Sequence, residues 1–111
     1  MLFKPYHIPL IRSGVKEVTR RNWKKPMVKV GNVYMATTEM FTKKEDCDCW
    51  IKVVGCYRQK LKNMTEWEAH REGGYTLEEF KEVCKEINGE WDPNQTVWVV
   101  EFEYVGEEYK E

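Results

Sequence analysis

Gly14–Arg21 has the sequence GVKEVTRR, and this segment separates the first predicted helix from the first predicted strand. Glycine tolerates the left-handed backbone that ends a helix, so His7–Ser13 is predicted as a short helix that stops at Gly14. Pro9 falls in the first turn of that helix, where its missing N–H costs little. The β-favouring run after the turn predicts a strand over Val18–Trp23. The segment therefore sets a helix–turn–strand order for the start of the chain.

Three further segments favour β-structure by composition and alternation. They are Val33–Thr38, Cys49–Val54 and Thr96–Val105. In the second segment, alternation places Cys49, Ile51 and Val53 on one face, which we expect to be core. In the last segment, the residues predicted to share one face are Trp98, Val100, Phe102 and Tyr104, with Glu101 and Glu103 on the other.

Two helices are predicted from their capping signals. Thr65 with Glu68 and Thr76 with Glu79 both have the Thr-x-x-Glu spacing of a capping box. The first helix is expected to end at Gly73-Gly74 and the second at Asn88-Gly89. The second carries an apolar stripe that is interpreted as packing, formed by Leu77, Phe80, Cys84 and Ile87.

The order of these elements predicts one α+β domain, with a short N-terminal helix and two helices before the last strand. In so short a chain the sheet is expected to curl toward a barrel, because curling protects its edges. The chain has 111 residues, of which 41% are hydrophobic and 14% aromatic, enough for a single folded domain over residues 1–111. Gly106–Glu111 is predicted to be a polar tail.

No apolar run approaches the roughly 20 residues of a membrane helix, and the N-terminus lacks the pattern of a signal peptide. The protein is therefore predicted to be cytoplasmic and to make no membrane contact. In a reducing compartment the four cysteines are expected to stay free thiols. A zinc site built from Cys47, Cys49 and His70 fits structural spacings poorly, so neither a metal nor another cofactor is predicted. We treat the chain as a monomer.

The charge is unevenly distributed although the net charge is only −1. Residues 11–30 carry seven basic side chains and one acid, whereas residues 66–111 carry 14 acids and four bases. A basic segment of this kind suits a phosphate-bearing partner, and a solvated basic face is an equally good interpretation on charge alone. The residues considered for phosphate or nucleic-acid binding are Arg20, Arg21, Trp23, Lys24 and Lys25; Trp23 could stack on a base or simply pack.

Strand alternation divides the basic segment between two faces. Thr19 and Arg21 are expected on one face of the strand, with Arg20 on the other. Lys16 can join Thr19 only if it belongs to the turn that Gly14 begins. A desolvated lysine beside an arginine has a lowered pKa and could accept a proton, while Arg21 could hold a phosphate or an oxyanion. The alternative is that these side chains are solvated and Thr19 is an ordinary strand residue.

Gly14, Lys16, Thr19 and Arg21 match the pattern G-x-K-x-x-T-x-R, so the chain resembles the ASCH domain, a branch of the PUA-like β-barrel superfamily. The resemblance extends over nearly the whole chain, because the short helix, the two later helices and the last strand occur in the family's order. It implies a mixed β-barrel with a cleft that is lined by the motif residues. It also implies a partner that is RNA or a modified nucleoside.

Some bacterial members of this family are amidohydrolases that remove the acetyl group from N4-acetylcytidine, using a lysine, a threonine and a glutamate. The resemblance places these roles at Lys16, Thr19 and Glu72. Glu72 would lie in the last turn of a helix, whose negative end favours a protonated carboxyl suited to acid–base work. The sequence departs from those enzymes around Gly73–Tyr75 and at the inserted turn Asn88–Gln95.

Three functional hypotheses follow. The first is an RNA- or nucleotide-binding domain with a cleft lined by Lys16, Thr19, Arg21 and Glu72. The second is an amidohydrolase acting on acylated nucleosides, with Lys16, Thr19 and Glu72 as catalytic residues. The third is a small ribonuclease that uses the same cleft. His7 has no partner pattern in the sequence and is interpreted as a helix-start residue.

Overall fold

The computed structural model describes residues 1–109. A 3₁₀ turn over Pro5–His7 leads into α1, Ile8–Arg12, and two further 3₁₀ turns occur at Lys44–Asp46 and Leu61–Asn63. The two later helices are α2, Glu66–Gly73, and α3, Leu77–Asn88. The strands are β1 (Val18–Arg21), β2 (Val33–Ala36), β3 (Cys49–Lys60) and β4 (Thr96–Gly106).

The four strands form one curled sheet in the order β1-β4-β3-β2, with antiparallel pairing throughout. The N-terminal segment lies beside the chain that follows β2, where Leu2 forms an isolated parallel bridge with Thr37. The register of β3 against β4 shifts at two points, between Trp50 and Ile51 and between Val53 and Gly55. Such irregularities bend a strand, so the sheet forms a half-barrel. The predicted α+β class and element order are confirmed.

The core lies on the concave side of β3 and β4. Cys49, Ile51 and Val53 are fully buried, as alternation predicts. Cys49 and Ile51 pack with Phe102 of β4 and with Phe3, Ile8 and Ile11 from the N-terminal segment and α1, whereas Val53 packs with Val28 and Val100. On β4 the alternation rule alone is insufficient, because Val97 and Val99 are buried as well as Val100 and Phe102. Both faces of the first half of β4 are covered, so the strand is apolar on both sides.

The two helix starts differ in how fully they are capped. At α3 the Glu79 N–H donates to the Thr76 hydroxyl at 3.1 Å and the Thr76 N–H donates to the Glu79 carboxylate at 2.9 Å, a complete capping box. At α2 the Glu68 N–H donates to Thr65 at 3.2 Å, but the Glu68 carboxylate contacts Arg20 instead of returning to the Thr65 backbone. The first predicted capping box is therefore only half formed, because the Glu68 carboxylate makes a long-range ion pair with Arg20.

Several boundaries differ from the sequence predictions. β1 ends at Arg21 instead of Trp23, and β3 extends six residues beyond Val54. Gly106, expected to open the polar tail, is the last residue of β4, and Lys110 and Glu111 lie outside the described residues. No helix within residues 1–109 combines the length and the apolar character that a membrane crossing requires.

Candidate functional site

The turn after α1 brings Lys16 into the interior. Gly14 adopts φ +80°, the left-handed conformation expected of a residue that ends a helix. The Lys16 N–H then donates back to the Leu10 carbonyl at 3.0 Å, while the Glu17 N–H donates to the Arg71 carbonyl of α2 at 2.9 Å. Lys16 thus belongs to the turn, which is the geometry that its convergence with Thr19 requires. Its side chain points inward, and only 3% of the residue is exposed.

The ammonium group of Lys16 has three acceptors. It donates to the Val18 carbonyl at 2.9 Å, to the Glu72 carbonyl at 2.8 Å and to Glu72 Oε1 at 3.0 Å. These bonds use all three of its hydrogens. Burial lowers the pKa of Lys16 below its ordinary value, Arg21 and Arg20 lower it further, and the Glu72 carboxylate opposes them.

Glu72 lies in the last turn of α2, is 2% exposed, and binds two cations. Its Oε1 accepts from Lys16, and its Oε2 accepts from Arg20 Nη1 at 2.6 Å. The position of Glu72 at the helix end does not by itself reveal these two partners. We call Lys16, Glu72 and Arg20 the buried charge triad.

The prediction that Arg20 faces away from the site is wrong. Its side chain is 4% exposed, and its guanidinium contacts Glu72, Glu68 and, at 2.9 Å, the Gln59 amide oxygen. Alternation fixes the direction of a Cβ atom, but α2 packs on that side of β1 and its carboxylates lie within reach of the long arginine side chain. In this structure the positive charge of Arg20 is matched by carboxylates, and its phosphate-binding role stays a prediction.

Thr19 and Arg21 retain unused hydrogen-bonding groups. Thr19 is 6% exposed, and within residues 1–109 its hydroxyl has no hydrogen-bond partner. Arg21 Nη2 donates to the Leu2 carbonyl at 2.5 Å, and its guanidinium lies 5.0 Å from the centroid of the Phe3 ring. Its Nε is buried without a partner among the described residues. Burial lowers the pKa of Arg21, and Glu72 partly offsets this effect.

These side chains border one cleft with a volume of about 490 Å³, between the N-terminal segment, β1 and α3. One wall is polar and contains the buried charge triad, Thr19 and Arg21. The apolar part of the lining is formed by Phe80, Val83, Cys84 and Ile87 of α3 together with Leu61 and Val97. The stripe on α3, interpreted from the sequence as packing alone, therefore also lines the cleft. Burial raises the pKa of the Cys84 thiol to about 12, which makes it a poor nucleophile.

His7 is a member of the cleft that the sequence did not single out. It is 6% exposed, and its Nε2 lies 3.0 Å from the Tyr75 hydroxyl. Burial, together with the positive charges of Lys16 and Arg21, lowers the pKa of His7 to about 4, so its ring is uncharged at neutral pH. Its partner is 68 residues away in the chain, and no local pattern links the two.

The remaining predicted binding residues lie away from the cleft lining. Trp23 is half-buried and packs against Val28, Val53 and Val100. Of the two expectations for Trp23, base stacking and packing, this contact corresponds to packing. Lys24 and Lys25 are exposed. Within residues 1–109 no group of three or more histidine, cysteine or acidic side chains could hold a metal ion, and the four cysteines are free.

No protein-family model matches the chain, and no curated protein matches it significantly. The structure is similar to the ASCH domain of Lactobacillus crispatus, with a TM-score of 0.64 and 17% identity over 96% of this chain and 77% of that one. A protein of the DUF984 family from Enterococcus faecalis gives a TM-score of 0.67 and 18% identity over 91% and 68%. A mutant of the Zymomonas mobilis ASCH protein gives 0.62 and 10% over 93% and 66%. The resemblance to the ASCH domains is therefore confirmed at the level of the fold.

Proposed function

We propose that this domain binds a nucleoside or nucleotide, free or as one unit of RNA, in the cleft between β1 and α3. The observation that carries this proposal is the combination of an apolar wall with unused polar groups facing it. A volume of about 490 Å³ falls within the range of roughly 300–1,000 Å³ typical of small-molecule sites. A nucleoside matches such a site because it joins a flat, largely apolar base to hydroxyl and amide groups.

Each wall has a separate role in this proposal. Phe80 and Ile87 supply the apolar surface for the base. The Thr19 hydroxyl and the remaining N–H groups of Arg21 supply hydrogen bonds to the polar groups of the ligand. The buried charge triad holds Lys16 and Glu72 in place before the ligand arrives, which reduces the ordering cost of binding.

RNA would extend beyond the cleft and meet exposed lysines. Lys24 and Lys25 follow β1 closely and are both exposed, so phosphates flanking a bound nucleotide could reach them. Contacts of this type release counterions, so the affinity for RNA should fall as salt concentration rises. The affinity for an uncharged nucleoside should change little with salt, because it carries no phosphate.

Calorimetric titration with cytidine tests the cleft directly. Thr19→Val keeps the shape of the side chain but removes the hydroxyl, and we expect it to weaken binding roughly tenfold, the value of about one hydrogen bond. The matched control is the double variant Lys24→Ala/Lys25→Ala, which should leave cytidine affinity unchanged and weaken the binding of a short single-stranded RNA. Equal affinity of the wild type and Thr19→Val would contradict the assignment of the cleft.

A second candidate is hydrolysis of an acyl amide on the bound nucleoside. Its specific support is the position of Lys16, a buried amine with a lowered pKa, in the same concave site as the unpartnered Thr19 hydroxyl. In this reaction water adds to the acyl carbon, the C–N bond breaks, and the amine leaves with a proton while the acid is released. Because all three hydrogens of Lys16 are donated, it must first pass a proton to Glu72 before it can accept one.

Incubation with N4-acetylcytidine tests this chemistry, with cytidine and acetate as the products to be quantified. We expect Lys16→Met and Thr19→Val to reduce the rate by at least roughly a hundredfold, the usual contribution of an acid–base group. Lys25→Ala, outside the cleft, should retain the wild-type rate. Absence of product with the wild type, or an undiminished rate in both cleft variants, would exclude the reaction.

The ribonuclease hypothesis stays a prediction.

A further inference from the structure

His7 occupies a position in the cleft that the proposed function leaves unassigned. His7 lines the same cavity as Thr19 and Arg21, and it is almost fully buried. Only one of its two ring nitrogens is engaged, because Nε2 contacts the Tyr75 hydroxyl at 3.0 Å. Nδ1 has no hydrogen-bond partner within residues 1–109. A ring nitrogen that has no hydrogen-bond partner in the protein can bond to a ligand in the cleft.

The position of the ring is defined from several sides. The Tyr75 ring packs edge-on against His7, with centroids 6.2 Å apart, and the Tyr6 ring also packs edge-on against it, with centroids 4.6 Å apart. Tyr75 follows the Gly73-Gly74 turn that ends α2, where Gly74 adopts φ +79°. A Cβ on Gly73 would lie 2.8 Å from Tyr75 Cε2 and 3.2 Å from Leu10 Cδ1, so glycine is needed for this close approach. The turn that positions Glu72 thus also positions the partner of His7.

An uncharged imidazole has one donor and one acceptor nitrogen. The Tyr75 hydroxyl can donate to Nε2 or accept from it. If Nε2 is the acceptor then Nδ1 is the donor, and if Nε2 is the donor then Nδ1 is the acceptor. Burial, together with the positive charges of Lys16 and Arg21, lowers the pKa of His7 to about 4, so Nδ1 belongs to an uncharged ring and can pair with a neutral polar group. Nucleosides present such groups as base amides and ribose hydroxyls.

We propose that His7 determines ligand specificity in the cleft, by hydrogen-bonding through Nδ1 to a neutral amide or hydroxyl of the bound nucleoside while Tyr75 holds Nε2. This inference rests on the proposed nucleoside-binding function and adds a contact to it. It assigns a role to Tyr75 and to the Gly73–Tyr75 segment, where the sequence departs from the N4-acetylcytidine amidohydrolases that it resembles. The two residues act together, with His7 touching the ligand and Tyr75 positioning it.

Three substitutions separate the two ring nitrogens. His7→Asn keeps a polar atom near the position of Nδ1, His7→Gln keeps one near the position of Nε2, and His7→Phe keeps the ring shape with neither. In titrations with the four common nucleosides, the nucleoside that the wild type binds best should bind roughly tenfold more weakly to His7→Phe and His7→Gln. His7→Asn should stay within about threefold of the wild type.

Nitrogen NMR of the unmutated protein supplies a readout that does not depend on the folding of a variant. In the wild type, we expect the Nδ1 resonance of His7 to shift when nucleoside is added, with Nε2 much less affected. In a separate measurement, Tyr75→Phe should change the ratio of the two ring tautomers. If the wild type binds a nucleoside while His7→Phe binds it equally well and Nδ1 does not move, the inference about His7 fails alone. If the wild type binds none of the four nucleosides, the proposed function and this inference fail together.

Discussion

Glu72 is the residue on which the site depends most. A carboxylate that is 2% exposed has little water to solvate it, so Lys16 and Arg20 must supply the compensating charge. The side chains of these two cations are only 2% and 4% exposed, and each relies on the carboxylate in turn. The buried charge triad is consequently a unit, and removing one member leaves the others without compensation.

Replacing Glu72 tests this dependence at the level of a single residue. We expect Glu72→Gln to lower the free energy of unfolding by about 3–5 kcal/mol, because it leaves two buried cations without their shared carboxylate. Urea denaturation followed by circular dichroism measures the change. The matched control is Glu17→Gln, since Glu17 is 44% exposed in its ion pair with Arg71 and should change stability by at most about 1 kcal/mol. Equal effects of the two substitutions would show that the triad is solvated in solution.

Single residues also show where sequence reasoning succeeds and where it stops. The resemblance to the ASCH motif points to Lys16 and Thr19, and both line one cleft in the structure. His7 could not be identified in this way, because its contact with Tyr75 spans 68 residues and arises only from tertiary packing. Arg20 was assigned to the wrong side because alternation describes Cβ directions and not the end of a long side chain.

At the scale of elements, the two helices are well specified by local signals, and their ends determine where the site residues lie. The complete capping box at Thr76 starts α3, which forms the apolar wall of the cleft. The incomplete one at Thr65 starts α2, which carries Glu72 in its last turn. The helix starts are thus encoded locally, whereas the use of the Glu68 side chain by Arg20 is a tertiary effect.

Substitution at Thr76 tests the contribution of the cap to α3. We expect Thr76→Ala to lower the free energy of unfolding by about 1 kcal/mol, because the N–H of Glu79 loses its acceptor. Thr76→Ser retains the hydroxyl and should lose much less. Thermal or urea unfolding of the two variants provides the measurement, and a Ser variant as unstable as the Ala variant would rule out the capping bond as the cause.

The faces of two elements could not be read from periodicity. The stripe on α3 is apolar at helical spacing, which is equally consistent with a core contact and with the wall of a cavity. On β4, alternation groups Trp98, Val100, Phe102 and Tyr104 on one face, but Val97 and Val99 on the other face are buried and Tyr104 is exposed. In both cases the deciding factor is what packs opposite the element, and this is set by the fold as a whole.

At the scale of the whole molecule, ion pairs between distant segments reduce the charge asymmetry seen in the sequence. Arg12 pairs with Glu107, and Arg20 pairs with Glu68 and Glu72. In each pair the basic segment near the N-terminus meets the acidic second half of the chain. The positive field of residues 11–30 is therefore smaller than the count of basic residues implies, which favours the cleft over a broad basic surface as the binding site.

The most direct test of the account is the mapping of nucleoside binding onto the backbone by amide NMR spectroscopy. Cytidine, titrated into the nitrogen-labelled protein, is expected to shift the amide resonances of residues 16–22, of Gly73 and of the α3 residues that face the cleft. The resonances of Lys44–Asp46, on a loop outside the cleft lining, should stay in place. Shifts confined to residues outside the cleft, or none at saturating cytidine, would contradict the assignment of the cleft as the binding site.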